Sequence, residues 1–162
     1  MEFYRSEPST LPPVTAETPF DASVTLYLRT GAPTAARNQQ ANARARIEAL
    51  AEAGILLDHT FSEWPSRAAV PNDGPAESGV DTYDEFEEAV ATRPGVQLNP
   101  FFEERSGIGQ TERVVVLPVV CLAMRRGEDL TGLYPCWNDG HHETVDDGLR
   151  ALEVGDGIEN LK

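Results

Sequence analysis

The chain of 162 residues has a formal net charge of −14, from 27 acidic and 13 basic residues, and Lys162 is the one lysine among twelve arginines. This length is enough to bury one core without disulfides or metals, and no run of about 18 apolar residues exists that would cross a membrane. The first twenty residues lack the basic start and apolar stretch of a secretory signal, and two cysteines without C-x-x-C spacing suit a reducing compartment, so we expect a cytoplasmic protein.

The composition divides the chain into three parts. Residues 1–21 are rich in Pro, Ser, Thr and Glu, a composition typical of a loose arm. Residues 22–155 carry the periodic apolar patterns of one α/β domain, and residues 156–162 follow as a short tail.

The stretch from Ser23 to Gly54 predicts a strand, a tight connection and a long helix. Apolar and polar residues alternate from Val24 to Arg29 with the period of a strand. Pro33 suits the first turn of a helix, because its missing N–H would have no partner there. The helix then carries one apolar stripe, formed by Ala36, Ala43, Ile47 and Leu50.

A second apolar run, Ile55 to Phe61, completes a βαβ unit and implies that part of the sheet is parallel. Trp64 to Val80 is rich in Pro, Gly, Ser and Asn and predicts a mobile loop. A short helix capped by Asp81 or Thr82 follows. Val96 to Glu104 contains Pro100 and predicts an edge strand.

The most apolar segment contains Pro118, which cannot donate to a sheet, so we place a central strand after it, from Val119 to Met124. A hairpin leads to a returning strand, Leu130 to Cys136. Thr144 then caps a last helix, with Asp147 three residues on as in a capping box. The predicted order is β-α-β-α-β-β-α with an additional edge strand, in a mixed sheet.

This order resembles the thioredoxin superfamily. The segment TLYLRTGAPTAAR, from Thr25 to Arg37, resembles the first strand and active-site turn of a glutaredoxin, where that family has Gly-Cys-Pro-x-Cys. Leu117-Pro118-Val119 resembles the cis-proline signature of the family. The resemblance implies a thioredoxin-like fold. The two cysteine positions of the turn hold Ala32 and Ala35, so thiol–disulfide exchange there is excluded.

The chain also resembles small acidic haloarchaeal proteins labelled "HTH domain protein". The shared features are the APT-A-R turn after a strand, a late LP strand and a final helix of pattern TVxDxLxAL. The label implies DNA binding, although the strand-rich second half fits poorly with a pure helix-turn-helix. Acidic excess with almost no lysine is typical of salt-loving archaea; the alternative is an ordinary acidic protein from a GC-rich genome.

In a thioredoxin-like sheet, the end of the first core strand, the start of the third and the end of the fourth meet beside the start of the long helix. A helix N-terminus attracts anions. We therefore predict a binding site there, which we call the pole, and the alternative is a pole without any ligand. Its residues are Pro33, Arg37, Pro118, Cys136, Trp137, His141 and His142.

The sequence Cys136-x4-His141-His142 has the spacing of half a metal site, but no further ligands lie nearby in sequence. His59 lies in the second strand, far from the pole in the predicted sheet. We therefore predict neither a metal nor a cofactor.

One segment favours nucleic acid. Arg37, Arg44 and Arg46 lie in a stretch without acidic residues and are interleaved with Asn and Gln, the side chains that recognise base edges. The overall negative charge opposes phosphate binding, and Arg44 is placed to pair with Glu48 one turn on.

The sequence thus supports three functional hypotheses. The first is a non-enzymatic, redox-inactive thioredoxin-like module that binds a protein partner or a small ligand, with no membrane association. The alternative is a transcription-associated DNA-binding regulator. The third is an enzyme that uses Cys136 with His141 or His142, which requires a thiol of lowered pKa.

Overall fold

The structure, a computed structural model, describes residues 11–162. Its elements in chain order are β1 (Ser23–Arg29), α1 (Thr34–Glu52), β2 (His59–Trp64), β3 (Arg67–Pro71), α2 (Val80–Ala91), β4 (Val96–Gln97), β5 (Glu103–Ser106), β6 (Thr111–Val116), β7 (Val120–Arg126), β8 (Asp129–Tyr134), β9 (Cys136–Asn138), β10 (His141–Glu143) and α3 (Val145–Val154). The predicted α/β class is confirmed. None of these helices is long and apolar enough to cross a membrane.

The central sheet has the strand order β2-β1-β7-β8. β1 is parallel to β2 and antiparallel to β7, and β7 is antiparallel to β8. The parallel β1–β2 pair of the βαβ unit and the hairpin between β7 and β8 were both expected from the sequence. β7 is the predicted strand after Pro118, displaced by one residue at its start.

The alternating side chains of β1 and β7 enter two different cores. Val24 and Leu26 lie in a first core with the apolar stripe of α1 and with α3. Tyr27 and Cys121 lie in a second core with α2 and its buried Phe86. Two covered faces explain why β7 is apolar from Val120 to Met124, since strands buried on both sides need no polar face.

The segment Trp64 to Val80, predicted as a mobile loop, contains a strand. β3 pairs antiparallel with β6, and β6 pairs with β5, so these strands form a second sheet of order β3-β6-β5. The segment contains one residue that packs well despite the breakers around it: Ala68 is fully buried in the second core, beside its cross-strand neighbour Val115 on β6.

The outer edge of β3 is also occupied. The backbone N–H of Ala69 donates to the Glu77 carboxylate at 2.8 Å, and the N–H of Glu77 donates to the Ala69 carbonyl at 2.9 Å. The residues after β3 therefore fold back along its free side, and the part of the predicted loop that lacks regular structure is mainly residues 72–79.

The predicted edge strand from Val96 to Glu104 is two separate strands. β4 joins β9 and β10 in a third sheet of order β10-β9-β4, while β5 joins the second sheet. The chain turns between them because the N–H groups of Phe101 and Phe102 both donate to the Leu98 carbonyl, and Leu98 and Phe102 are buried.

The packed structure extends beyond the predicted limits of 22–155 at both ends. Val14 and Ala16 pack against the first core, and Phe20 is buried beside Leu56. At the other end, Leu161 is buried, and the Asn160 side chain bonds both the N–H and the carbonyl of Leu133 on β8. Residues 1–10 of the predicted arm lie outside the described residues.

A buried ion pair joins α1 to α3. The side chain of Arg46 is 5% exposed, and its Nε and Nη2 donate to the two carboxylate oxygens of Glu153 at 2.9 and 2.7 Å. Its Nη1 donates to Asp146 at 2.6 Å. These hydrogen bonds raise the pKa of Arg46, and the pKa of Asp146 is lowered for the same reason. The pair fixes the relative position of the two helices that cover the first core.

We expect Arg46→Met to lower the free energy of unfolding by about 3–5 kcal/mol, because Glu153 would stay buried without its partner. The double variant Arg46→Met/Glu153→Met should recover most of that loss. Arg150→Met, which removes an exposed partner of the same Asp146, should change stability by less than about 0.5 kcal/mol. Chemical denaturation measures all three; equal losses for the Arg46 and Arg150 variants would contradict the assignment.

Candidate functional site

Three remote segments meet at the start of α1. The side-chain amide of Gln40 donates to the carbonyl of Arg29 at the end of β1 (2.8 Å) and to the carbonyl of Val119 before β7 (2.9 Å). The N–H of Arg29 donates to the same Val119 carbonyl at 3.0 Å. Trp64, at the end of β2, donates from its indole to the Pro118 carbonyl at 3.0 Å. These bonds hold Pro118 close to the first turns of the helix.

A groove of about 340 Å³ lies at this convergence. Its walls are mostly apolar, with a few polar groups at the rim, and the lining includes Gln39, Phe101, Pro118, Pro135, His142 and Asp146. The His142 ring stacks on Phe101, with centroids 4.2 Å apart. Trp137 lies directly opposite His142 on the neighbouring strand. The centroids of their rings are 6.5 Å apart, and Trp137 is 37% exposed.

The structure thus brings together Pro118, His142 and, beside His142, Trp137. His141 is exposed on β10 and does not line this groove. Pro33 and Arg37 are exposed at the start of α1, also outside the lining residues. Within residues 11–162, no side chain caps the N-terminus of α1, and its first turn has no acidic residue, so free N–H groups and Arg37 make this corner electropositive.

Cys136 does not open into the groove. It is fully buried, its Sγ accepts a hydrogen bond from Asn160 at 3.7 Å, and burial together with the nearby Glu143 carboxylate raises its pKa to about 12. Cys121 is buried in the second core, and burial raises its pKa well above the ordinary thiol value. Both cysteines are free. The enzyme hypothesis needed a lowered thiol pKa at Cys136, and the structure shows the opposite shift.

No group of three or more His, Cys, Asp or Glu side chains within residues 11–162 is arranged to hold a metal ion. The peptide bonds before Pro100 and Pro135 are cis, whereas the bond before Pro118 is trans. In that respect Leu117-Pro118-Val119 departs from the cis-proline signature that it resembles.

Comparison with known proteins identifies one family. The sequence model of a family described as "Helix-turn-helix domain" matches residues 16–157, most of the chain. The protein belongs to this helix-turn-helix domain family. No curated protein and no solved structure matches it.

Although the protein belongs to the helix-turn-helix domain family, its helices do not form a helix-turn-helix motif. In the described part of the chain, β2 and β3 separate α1 from α2, and several strands separate α2 from α3. In the DNA-binding motif of that name, two successive helices are joined by a short turn, and the second helix lies in the major groove while the first crosses the backbone. Any contact of this family member with DNA therefore has to use a single helix or another surface.

The three arginines predicted as nucleic-acid contacts differ in their surroundings. Arg46, predicted as a contact, is instead buried in the ion pair with Glu153, so its guanidinium does not face the solvent. Arg44 lies over the Phe61 ring at 4.2 Å and is 3.8 Å from Glu48. Arg37 is exposed, and its guanidinium bonds the Thr34 hydroxyl at 3.1 Å. Arg44 and Arg46 are two residues apart in the sequence, yet Arg44 is exposed on α1 and Arg46 is buried in the core. The sequence pattern alone does not show this difference.

Two residues of the site were missed in the sequence. Gln40 has the appearance of one more exposed amide on α1, yet it connects three segments. Phe101 lies in the turn between β4 and β5, and its position beside His142 depends on contact between two remote segments. A local pattern carries no information on either role.

The rate of alkylation tests whether the two thiols are buried and whether their pKa values are raised. At pH 8, iodoacetamide should label Cys136 in the folded protein roughly a thousandfold more slowly than in denaturant, because a rise in pKa from 9.0 to about 12 removes most of the thiolate. Burial should slow Cys121 further. Peptide mapping by mass spectrometry separates the two sites, and rapid labelling of folded Cys136 would restore the enzyme hypothesis.

Proposed function

We propose that this protein is a non-enzymatic, redox-inactive binding module with a thioredoxin-like core, and that the groove beside the start of α1 holds a partner protein or a small ligand. The observation that carries the proposal is the groove itself. It lies next to the turn where a redox pair would stand, and that turn holds Ala32 and Ala35 in place of cysteines.

The arrangement of the core supports the thioredoxin-like assignment. The order β2-β1-β7-β8, with β1 parallel to β2 and antiparallel to β7, agrees with the arrangement expected from that resemblance. Helices α1 and α3 contribute to one core and α2 to the other. A groove with apolar walls and a few rim groups is the usual form of a ligand site.

We further propose that the module works in the cytoplasm of a haloarchaeon. The net charge of −14 and the near absence of lysine support this habitat. At molar salt the screening length is about 3 Å, so the self-repulsion of the acidic surface is small.

A variant that fills the groove tests the binding proposal. Gln39→Trp places a large side chain at the rim, and it should abolish capture of any protein or metabolite that the wild type retains from a high-salt lysate. Quantitative mass spectrometry of the captured material is the measurement. We expect at least a tenfold loss of each specific component.

Asn42→Trp is the matched control, since Asn42 is exposed on the same helix and does not line the groove. It should capture the same components as the wild type. A wild type that retains nothing specific, or that loses its components equally in both variants, would contradict a ligand at this groove.

DNA binding is the second candidate, favoured by family membership and by one surface. Residues 22–47 contain no acidic side chain, in a chain where one residue in six is acidic. The exposed part of α1 in this stretch presents Arg37, Asn38, Asn42 and Arg44. Arginine and amide side chains on a helix can bind phosphates and base edges.

If α1 binds duplex DNA, Arg37→Glu/Arg44→Glu should abolish retardation of the DNA in a gel-shift assay run across a salt series up to molar KCl. The wild-type affinity should fall with salt concentration, with a slope that reports the number of phosphate contacts. Arg67→Glu/Arg150→Glu makes the same charge change at exposed positions outside α1 and should bind like the wild type. No retardation by the wild type at any salt concentration would remove this candidate.

A further inference from the structure

The second sheet has one protected edge and one open edge. On the β3 side, Glu77 bonds both the N–H and the carbonyl of Ala69. On the β5 side, no backbone hydrogen bond of the described chain involves residues 103–106 apart from the ladder to β6. Unpaired N–H and carbonyl groups along an exposed strand are a template for pairing with another chain.

The side chains along β5 are self-complementary. The strand reads Glu-Glu-Arg-Ser, and Arg105 binds Glu103 on the same face at 2.6 Å, with both side chains half exposed. In an antiparallel pair of identical strands, residues directly opposite each other share one face. A two-fold axis at Glu104 then sets Glu103 of each copy opposite Arg105 of the other.

We propose that the protein forms a symmetric dimer in which the β5 strands of two copies pair antiparallel about Glu104, joining the two second sheets into one sheet of six strands. Each copy contributes the same β5 surface to the interface, as two-fold symmetry requires. The proposal does not depend on the groove or on DNA binding.

Charge supports self-pairing over pairing with an unrelated strand. A short charged edge normally discourages association, because a random partner leaves the charges unmatched. Here the charges of Glu103 and Arg105 alternate in sign, so the second copy supplies a matched opposite charge at each position. The two Glu104 side chains meet at the axis, but each is already bound by Arg113 of its own copy at 3.1 Å.

An exposed apolar residue lies at the same end of the sheet. Ile108, in the turn between β5 and β6, is 90% exposed. It helps to line a groove of about 380 Å³ with Arg67, Arg105 and Val114. Antiparallel pairing brings this turn toward the start of β5 in the second copy, which would cover part of the side chain.

The mass in solution tests the proposal. Sedimentation velocity in molar KCl, over micromolar to millimolar protein, should show a species of twice the 17.7 kDa chain mass. Arg105→Glu should weaken the dimer at least tenfold, since it opposes Glu103 with a like charge. The exchanged variant Glu103→Arg/Arg105→Glu should restore the wild-type affinity. Arg150→Glu reverses the charge of an exposed residue outside β5, and it should leave the dimer affinity unchanged.

A cross-link gives a second, independent readout. Glu104→Cys places a thiol on the axis, where facing Cα atoms lie about 5 Å apart, within the range of a disulfide. Under mild oxidation it should form a covalent dimer, whereas Glu112→Cys should not. A wild type that stays monomeric at every concentration, an Arg105→Glu variant that dimerises normally, or an exchanged variant that is not restored would each overturn the proposal.

Discussion

The position of β1 in the middle of the central sheet determines most of the structure. β1 is hydrogen-bonded to β2 on one side and to β7 on the other, and its side chains alternate between the two cores. A slip of β1 by one residue would move each of its side chains into the opposite core, where the surrounding side chains are packed around a residue of another size. The register of β1 therefore fixes where α1 begins and where β7 must start.

The groove is a consequence of that register. Because β1 ends at Arg29 and β7 starts after Val119, the first turns of α1 lie over both, and Gln40 bonds the two carbonyls that meet there. The aromatic wall comes from elsewhere: β9 and β10 carry Trp137 and His142, and the turn after β4 carries Phe101. A site built from such distant parts is held by the sheet and needs no local motif.

Arginine serves two roles in this acidic chain. Arg46, Arg113, Arg125 and Arg126 each bind carboxylates of remote segments, which the planar guanidinium can do with two parallel hydrogen bonds. Among the residues that the structure describes, Arg37 pairs with no carboxylate, and it is exposed near the start of α1. The surface at that corner is therefore positive in contrast to most of the molecule.

The sequence predicted those parts of the fold that depend on local patterns. The alternation in β1, the stripe on α1 and the capping box of Thr144 with Asp147 are all present. The prediction from sequence failed where long-range contacts override composition. β3 forms inside a segment rich in Pro, Gly, Ser and Asn because Ala68 packs in the second core. For the site, Pro118 and His142 line the groove, but Cys136 is buried, and its Sγ accepts a hydrogen bond from Asn160, which follows α3. Spacing along the chain cannot reveal which of two neighbouring residues faces the solvent.

The Glu77 contact with β3 limits how this protein can assemble. A sheet with two free edges can add strands at both sides without end, and unlimited growth of that kind produces fibrils. In the second sheet, Glu77 occupies the backbone groups of Ala69, and of the two edges described only that of β5 stays open. If a second copy pairs with β5, a further strand could join this sheet at β3 only by displacing the Glu77 contact, so strand pairing alone would not extend beyond two copies.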